Sequence, residues 1–307
     1  LAVIRLWRVF RKNRIEMVFS YTPKGNIYSA LAARCMGATV VPNISGVGGS
    51  FSKSSMLGKV VAALYRITLG RAHHVFFQNL DDMNAFTSRG LVQAGKCTRL
   101  PGSGVDLKRF TPEPLQERSR TGPVFLLVAR LLWSKGVGEF AKAACQIKAK
   151  HPDAQFQLLG FLDVDNPAAV PREQVDAWQQ QGLVQYLGAT DDVRPYLLQA
   201  DCVVLPSYYG EGVPRTLLEA AACARAVVTT DSPGCRDTVQ HGQTGYMCRP
   251  RDAADLAKAL DAYIALSPAQ RCEMGLKSRQ HVEQQFDEQL VLNAYIDVLL
   301  NMQAGKN

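Results

Sequence analysis

The sequence predicts an α/β protein built of two doubly wound, Rossmann-like domains facing a cleft. Three observations predict the class. Short apolar runs alternate with stretches of helical period along nearly the whole chain, the pattern of a parallel sheet covered by helices. A length of 307 residues suits two domains. Residues 110–123, F-T-P-E-P-L-Q-E-R-S-R-T-G-P, carry three prolines and a glycine among charges, and this break divides the alternation into two blocks.

The elements follow in order. Residues 1–12, L-A-V-I-R-L-W-R-V-F-R-K, mix apolar residues with Arg and Lys. That pattern fits a helix lying on a membrane surface or a helix packing on the sheet. Residues 15–21 read as a buried strand, 26–36 as a helix and 38–44 as a strand. Residues 54–69 are helical by period, with Met56, Val60, Ala63, Leu64 and Ile67 on one apolar face. Strands at 74–78 and 98–101 enclose a helix at 81–91. Beyond the break, strands are expected at 124–129, 155–160, 184–187, 202–206 and 226–230. Helices are expected at 137–150, 172–181, 193–199 and 214–223, and three more close the chain at 253–266, 268–286 and 288–302. The expected domains are 1–112 and 113–285, with a helix at 286–307 packing back toward the first. The chain begins with Leu1, which suggests a piece of a longer protein.

Composition bounds the function classes. A hydrophobic content of 47% against 20% charged residues is that of a globular protein, not a disordered one. No apolar run approaches about 18 residues, so no spanning helix is expected, and no secretory leader pattern is present. The eight cysteines include no C-x-x-C pair, so buried, reduced thiols are expected rather than disulfides or zinc. Charge is uneven: residues 1–112 hold 16 Lys and Arg against 4 Asp and Glu, a balance of +12, and the remainder stands at −4. A basic first half suits an anionic partner.

Candidate chemistry collects at strand ends. In Y-G-E-G-V-P-R-T-L-L-E-A, Glu211 and Glu219 stand eight positions apart around a turn. The strand at 202–206 precedes this loop, and Pro214 is expected at the first helical position, where its missing N–H costs nothing. The free amides and dipole of the helix attract an anion. A nucleotide-sugar fits such a loop, with phosphates at the helix start, ribose hydroxyls on one carboxylate and the sugar on the other. In V-A-R-L-L-W-S-K-G, Arg130 and Lys135 follow a buried strand and can clamp a diphosphate, the Arg bidentate. L-P-G-S-G-V-D, with Gly104, is a weaker phosphate-loop candidate. Each has a plain structural reading: a helix-start glutamate complements the dipole, and cations at a strand end are commonly surface charges. Asp163 and Asp165 form a D-x-D too short to carry a metal assignment. Of His73 and His74, one is expected inward and one outward.

Together, V-A-R-L-L-W-S-K-G, Y-L-G-A-T-D-D-V, L-P-S-Y-Y-G-E-G-V-P-R-T-L-L-E-A-A-A and D-S-P-G-C-R-D-T-V resemble glycosyltransferase family four. These are retaining enzymes of the B-type, two-domain architecture. The likeness runs over essentially the whole chain. It is strongest to bacterial transferases that extend lipid-linked glycans for capsule, exopolysaccharide or O-antigen. It implies that Arg130 and Lys135 hold the donor diphosphate, that Glu219 contacts the ribose and that Glu211 lies near the transferred sugar. Gly212, Val213, Pro214, Arg215 and Thr216 are implied around sugar and phosphate, with Gly104 and Leu187 as further donor-binding positions. No metal or other cofactor is implied. The implied partners are a UDP-sugar donor, a polyprenyl-diphosphate-linked glycan acceptor and an anionic membrane surface, not nucleic acid. The implied location is cytoplasmic, peripheral on the inner face of the plasma membrane. Two departures accompany the likeness. The family's opening strand and glycine-rich loop have no counterpart, and the 41–49 segment lacks the family's His. The chain alone is therefore expected to fold or act poorly, and a nucleotide-sugar-binding piece without activity is the alternative. A dinucleotide-dependent oxidoreductase is a poor rival, because G-V-G-G at 46–49 does not make G-x-G-x-x-G. A nucleic-acid binder is another poor rival, because the basic residues are dispersed.

Overall fold

A computed structural model describes residues 1–47, 56–113 and 122–304. Most of the 110–123 break, the Gly48–Gly49 pair and the start of the 54–69 helix lie outside the described residues. The chain divides into two compact units. The first comprises residues 1–103, 210–213 and 289–307, and the second residues 104–209 and 214–288. Residues 104–112, expected with the first domain, thus group with the second unit.

The first unit holds a four-stranded parallel sheet in the order β1 (Met17–Tyr21), β2 (Thr39–Ile44), β3 (Val75–Phe77) and β4 (Cys97–Arg99). Its helices are α1 (Ala2–Lys12), α2 (Pro23–Arg34), α3 (Met56–Leu69) and α4 (Leu80–Ser88). Side chains alternate across the pleat. Val18, Val40, Ile44, Val75 and Phe77 pack under these four helices. Phe19, Val41 and Phe76 face the other way, where α11 (Glu288–Ala304) covers them with Val291, Tyr295, Val298 and Met302. The sheet is therefore buried on both sides, which is why β2 and β3 read as unbroken apolar runs.

Packing bears on two sequence expectations. For α1, Phe10 is buried and Val3, Leu6 and Trp7 pack partly against Ala30, Ala33 and Val40. Its apolar residues are thus divided: Val3, Leu6, Trp7 and Phe10 pack on α2 and the sheet, while Ile4 and Val9 are each 53% exposed. For α3, the apolar face named from the sequence is split: Met56 is 85% exposed and Val60 and Ile67 are each 52% exposed, while Leu64 packs partly against the core. The inward face carries Val61, Tyr65 and Leu69, with Tyr65 edge-on to Phe86 at 5.1 Å between ring centroids. A helix apolar on both faces leaves the periodicity silent about which face the sheet takes.

The second unit holds a six-stranded parallel sheet. Its strands are β5 (Val124–Val128), β6 (Gln155–Leu159), β7 (Gln185–Tyr186), β8 (Cys202–Leu205), β9 (Ala226–Thr230) and β10 (Gly245–Cys248), in the spatial order β10-β9-β8-β5-β6-β7. β5 therefore pairs with both β6 and β8, and the winding reverses there. The edge strand β10 carries little pattern of its own. Gly245 lets it approach β9, because a Cβ there would lie 1.9 Å from the Val227 carbonyl oxygen. Helices α5 (Val137–Lys150), α6 (Arg172–Gln180), α7 (Arg194–Gln199), α8 (Arg215–Ala222), α9 (Ala253–Ile264) and α10 (Pro268–Gln285) flank the sheet. The core joins Phe125, Phe140, Phe156, Val204, Val228, Leu260 and Tyr263.

The cysteines are all free. Cys202, Cys223, Cys235 and Cys248 are buried as expected, but Cys35, Cys145 and Cys272 are exposed on helix surfaces or ends. Among the described residues no helix is long and apolar enough to cross a membrane.

Candidate functional site

In an open α/β sheet, ligands bind outside the carboxyl ends of the strands where the winding reverses. In the second unit that point lies between β5 and β8, so the loops leaving these strands define the site. The loop after β5 runs through exposed Arg130 into a single 3-10 turn, Trp133–Lys135, and then α5. Gly136 makes the joint with φ +78°, a left-handed conformation that favours glycine. A Cβ there would also lie 2.2 Å from the Pro206 carbonyl oxygen, so the two loops meet backbone to backbone. They are also bonded. The Ser134 carbonyl accepts from the Tyr208 N–H (3.1 Å) and the Ser207 hydroxyl (3.2 Å). From the next strand end, the Thr230 and Ser232 hydroxyls both donate to the Ser207 carbonyl. Lys135 is thereby held, half-buried, on a braced turn beside the loop that leads to α8.

Pro214 is the N-cap of α8, not its first helical residue, and the helix begins at Arg215. It caps by its extended conformation, with no side-chain bond to the first-turn amides; of these, the Leu217 N–H donates back to the Pro214 carbonyl at 3.1 Å, and the amino end of the dipole favours an anion. Glu219 follows one turn later and accepts from Arg215 Nε at 2.9 Å. Its side chain is only 14% exposed. Burial raises its pKa above the ordinary carboxylate value, and the Arg215 and Arg109 charges oppose that rise. An apolar helix thus holds an acid with one cationic neighbour and acceptor capacity to spare.

The sequence places Glu211 on the same loop, yet residues 210–213 pack with the first unit. Asn79, fully buried, explains why. Its Oδ1 caps α4 through the Asp82 N–H at 2.7 Å, and its Nδ2 donates to the Glu211 and Gly212 carbonyls at 3.1 Å each. Gly46, at φ +95°, and Gly212 meet without side chains, since a Cβ on Gly46 would lie 2.6 Å from the Gly212 nitrogen. Val213 seats against Gly102 in the same way. Glu211 is half-buried, and its backbone carbonyl is anchored by Asn79.

Arg130, Lys135, Pro214, Arg215, Thr216 and Glu219 therefore share the second unit, while Glu211, Gly212 and Val213 belong to the first. Leu187 ends β7, its N–H donating to the Leu158 carbonyl at 2.9 Å. Gly104, at φ +70°, has a packing role: a Cβ would lie 2.5 Å from the Glu288 Cα. Asp163 pairs with Arg172, and among the described residues no three His, Cys, Asp or Glu side chains cluster as a metal site. His74 is half-buried beside Thr98 Oγ1 at 3.0 Å, and His73 is exposed. Sequence reasoning missed Asn79, Ser207 and the buried Arg225, which caps α7 through the Leu197 and Leu198 carbonyls at 3.1 and 2.9 Å. Only Asn79, an Asx residue before the D-D of a helix start, left a readable signal.

Comparison with known proteins adds the following. Residues 122–265 match the family Glycosyl transferases group 1. The chain is 28% identical, over 95% of its length and 78% of the other, to the N,N'-diacetylbacillosaminyl-diphospho-undecaprenol alpha-1,3-N-acetylgalactosaminyltransferase of Campylobacter jejuni. It is 24% identical, over 98% of its length and 80% of the other, to the UDP-Gal:alpha-D-GlcNAc-diphosphoundecaprenol alpha-1,3-galactosyltransferase of Escherichia coli. Against the glycogen synthase of Mycobacterium tuberculosis it is 33% identical, but the match spans only 66% of this chain and 48% of that one. Among solved structures, HepE of Anabaena with UDP superposes at a TM-score of 0.81 and 19% identity, covering 97% of this chain and 82% of that one. Sucrose-phosphate synthase of Thermosynechococcus elongatus gives 0.82 at 21%, covering 99% and 77%. At these identities the likeness to solved structures establishes the fold, that of two Rossmann-like domains.

Proposed function

From the premise that residues 122–265 form a glycosyltransferase domain of group 1, we propose that the chain transfers a sugar from a UDP-sugar to a lipid-linked, polyprenyl-diphosphate glycan. The transfer retains configuration at the anomeric carbon and serves surface polysaccharide assembly at the inner face of the plasma membrane. The observation that carries the reading is the braced pair of loops at the winding reversal. One presents Arg130 and Lys135, and the other presents the amino end of α8 followed by buried Glu219. That order of groups matches a nucleoside diphosphate: cations and amides for the phosphates, a carboxylate for the ribose hydroxyls. The two relatives that span nearly the whole chain are named for undecaprenol-diphosphate acceptors, which supports the acceptor class.

In this reading the bond from the anomeric carbon to the β-phosphate oxygen breaks as the acceptor hydroxyl adds on the same face, and the hydroxyl proton leaves with the UDP. Arg130, Lys135 and the α8 amides offset the charge that grows on the departing phosphate. No metal ion or other cofactor is assigned a role. Glu211 orients the sugar and Glu219 the ribose. Gly212, Val213, Arg215 and Thr216 line the sugar and phosphate, and Leu187 and Gly104 stand as outer donor contacts.

Calorimetry with UDP and a panel of UDP-sugars tests the proposal. Wild-type protein is expected to bind UDP, and Lys135→Ala and Glu219→Gln are each expected to weaken binding about 10- to 100-fold, the loss of a charge-assisted bond. Unaltered affinity in both variants, or no UDP binding by the folded wild type, would defeat it.

A further inference from the structure

We propose that Arg109 and Arg279 are positioning residues of the donor site: Arg279 ties the 107–110 turn to the carboxyl end of α8, and the tie holds the Arg109 guanidinium beside Glu219. The inference rests on the donor reading and adds two residues which that reading leaves out. Residues 104–110, G-V-D-L-K-R-F, belong to the second unit although the sequence assigns them to the first domain. Backbone bonds explain the grouping. The Val105 N–H donates to the Phe286 carbonyl at 2.9 Å, and the Glu288 N–H donates to the Val105 carbonyl at 3.2 Å. Asp106 then closes a turn, its Oδ1 accepting from the Lys108 and Arg109 N–H groups at 2.9 and 3.0 Å. Phe110 is buried and anchors the far end, with Arg109 Cζ 5.6 Å from its ring centroid. Arg109 is thus an exposed cation on a fixed turn.

Arg279 of α10 is the clasp. Its side chain is only 14% exposed. Nη1 donates to the Phe110 carbonyl at 2.6 Å and to the Ala222 carbonyl at 2.7 Å, and Nη2 donates to the Leu107 carbonyl at 3.3 Å. Nε donates to Glu283 Oε1 at 2.6 Å, which fixes the fork from its own helix. Ala222 is the last residue of α8, where the final carbonyls have no partner within the helix. A cation at that end also suits the helix dipole. One planar guanidinium so joins the turn, α8 and α10. A lysine ammonium is a point charge and offers no such fork.

The clasp decides what faces Glu219. Arg109 lines a cavity of about 480 Å³ together with Cys223. Cys223 follows Glu219 by one turn of α8, its N–H donating to the Glu219 carbonyl at 3.1 Å. Asp192 and Arg194, where α7 starts, line the cavity too, but Arg194 is committed to Asp192 through bonds of 2.8 and 2.7 Å. Glu113 and the Cys223 thiol complete the titratable groups here, and burial pushes that thiol up to about 11, so it stays neutral. Arg215 pairs with Glu219 from α8 itself. Arg109 is the second cation acting on Glu219, and like Arg215 it favours the anion. The ionised carboxylate is the stronger acceptor for ribose hydroxyls. Solvent and salt screen an exposed charge within a short distance, so Arg109 serves Glu219 only while the turn is held against α8.

Calorimetric titration of the full chain with UDP and with 2′,3′-dideoxy-UDP provides the test. Arg109→Gln is expected to weaken UDP binding about three- to tenfold in mild acid and to move the fall of affinity on acidification to higher pH. It should leave binding of the dideoxy ligand unchanged, since Arg109 acts through the carboxylate that the missing hydroxyls would meet. Arg279→Met is expected to produce the same loss of UDP affinity, and Arg109→Gln added to it should then cost nothing further. Arg279→Lys keeps the cation but spans fewer carbonyls, and it carries the same cycle if the methionine variant does not fold. A wild-type pH dependence of UDP affinity in Arg109→Gln overturns the role of Arg109. Equal losses toward the two ligands overturn it as well, and would make Arg109 a direct contact of the phosphates. Fully additive losses from the Arg109 and Arg279 substitutions overturn the clasp. Absent UDP binding by the folded wild type defeats the donor reading itself, whereas UDP binding that is indifferent to Arg109 defeats this assignment alone.

Discussion

At the residue scale, Glu219 shows how a helix tunes a carboxylate. Burial favours the neutral acid, and Arg215 one turn before it favours the anion. Burial dominates, so Glu219 takes up its proton at a higher pH than an ordinary carboxylate, whose value is near 4.5. As an anion in the folded state it is therefore destabilising relative to the unfolded chain. That cost is absent below the ordinary value and develops as pH rises through the raised one. Accepting two ribose hydroxyls requires the anion. UDP affinity should therefore fall on acidification as Glu219 becomes protonated. Arg215→Leu removes the opposing charge and should move that fall to higher pH. Calorimetric UDP titrations between pH 8 and pH 5 read the difference directly, and coincident curves for wild type and variant would contradict this account of the carboxylate.

At the element scale, α11 is the piece that the sequence expects to pack back toward the first domain. It follows the second unit in the chain but supplies a wall of the first. Tyr295 sits between Phe19 and Phe76, with ring centroids 5.2 and 4.5 Å away. Its hydroxyl accepts from Asn43 Nδ2 at 2.8 Å. Burial pushes the phenol pKa well above its usual range. Tyr295→Phe keeps the ring contacts and strands a buried amide of β2, so a loss of about 1 to 2 kcal/mol is expected from the shift in urea midpoint at unchanged m-value. A stability equal to wild type would show that water serves the amide equally well. The same scale explains α3. Its two apolar faces compete for the sheet, and Tyr65 and Leu69 win because Phe77 and Phe86 offer them a ring-lined seat.

At the scale of the whole molecule, charge is unevenly divided along the chain. The basic excess lies in the first 112 residues, and the groups proposed for the nucleotide lie in residues 130–219. A ligand that binds only the folded chain stabilises it by mass action, so UDP at 100 times its Kd should add about 2.7 kcal/mol. Thermal denaturation with and without UDP should show an upward shift of a few degrees that Glu219→Gln reduces at the same UDP concentration. The sequence by itself determined the alternation of strands and helices, because burial of parallel strands between helices writes a local pattern into the chain. It also marked the braced loops of the site, because Gly136, Gly212 and the charges beside them occupy short, recognisable stretches. Local pattern is blind to pairings made across long intervals of chain. It gave no sign that Asn79 holds the backbone of Glu211, 132 positions away, or that Met56, Val60 and Ile67 of α3 face outward. Only the tertiary structure decided those points, since each depends on which of two suitable surfaces another element reaches first.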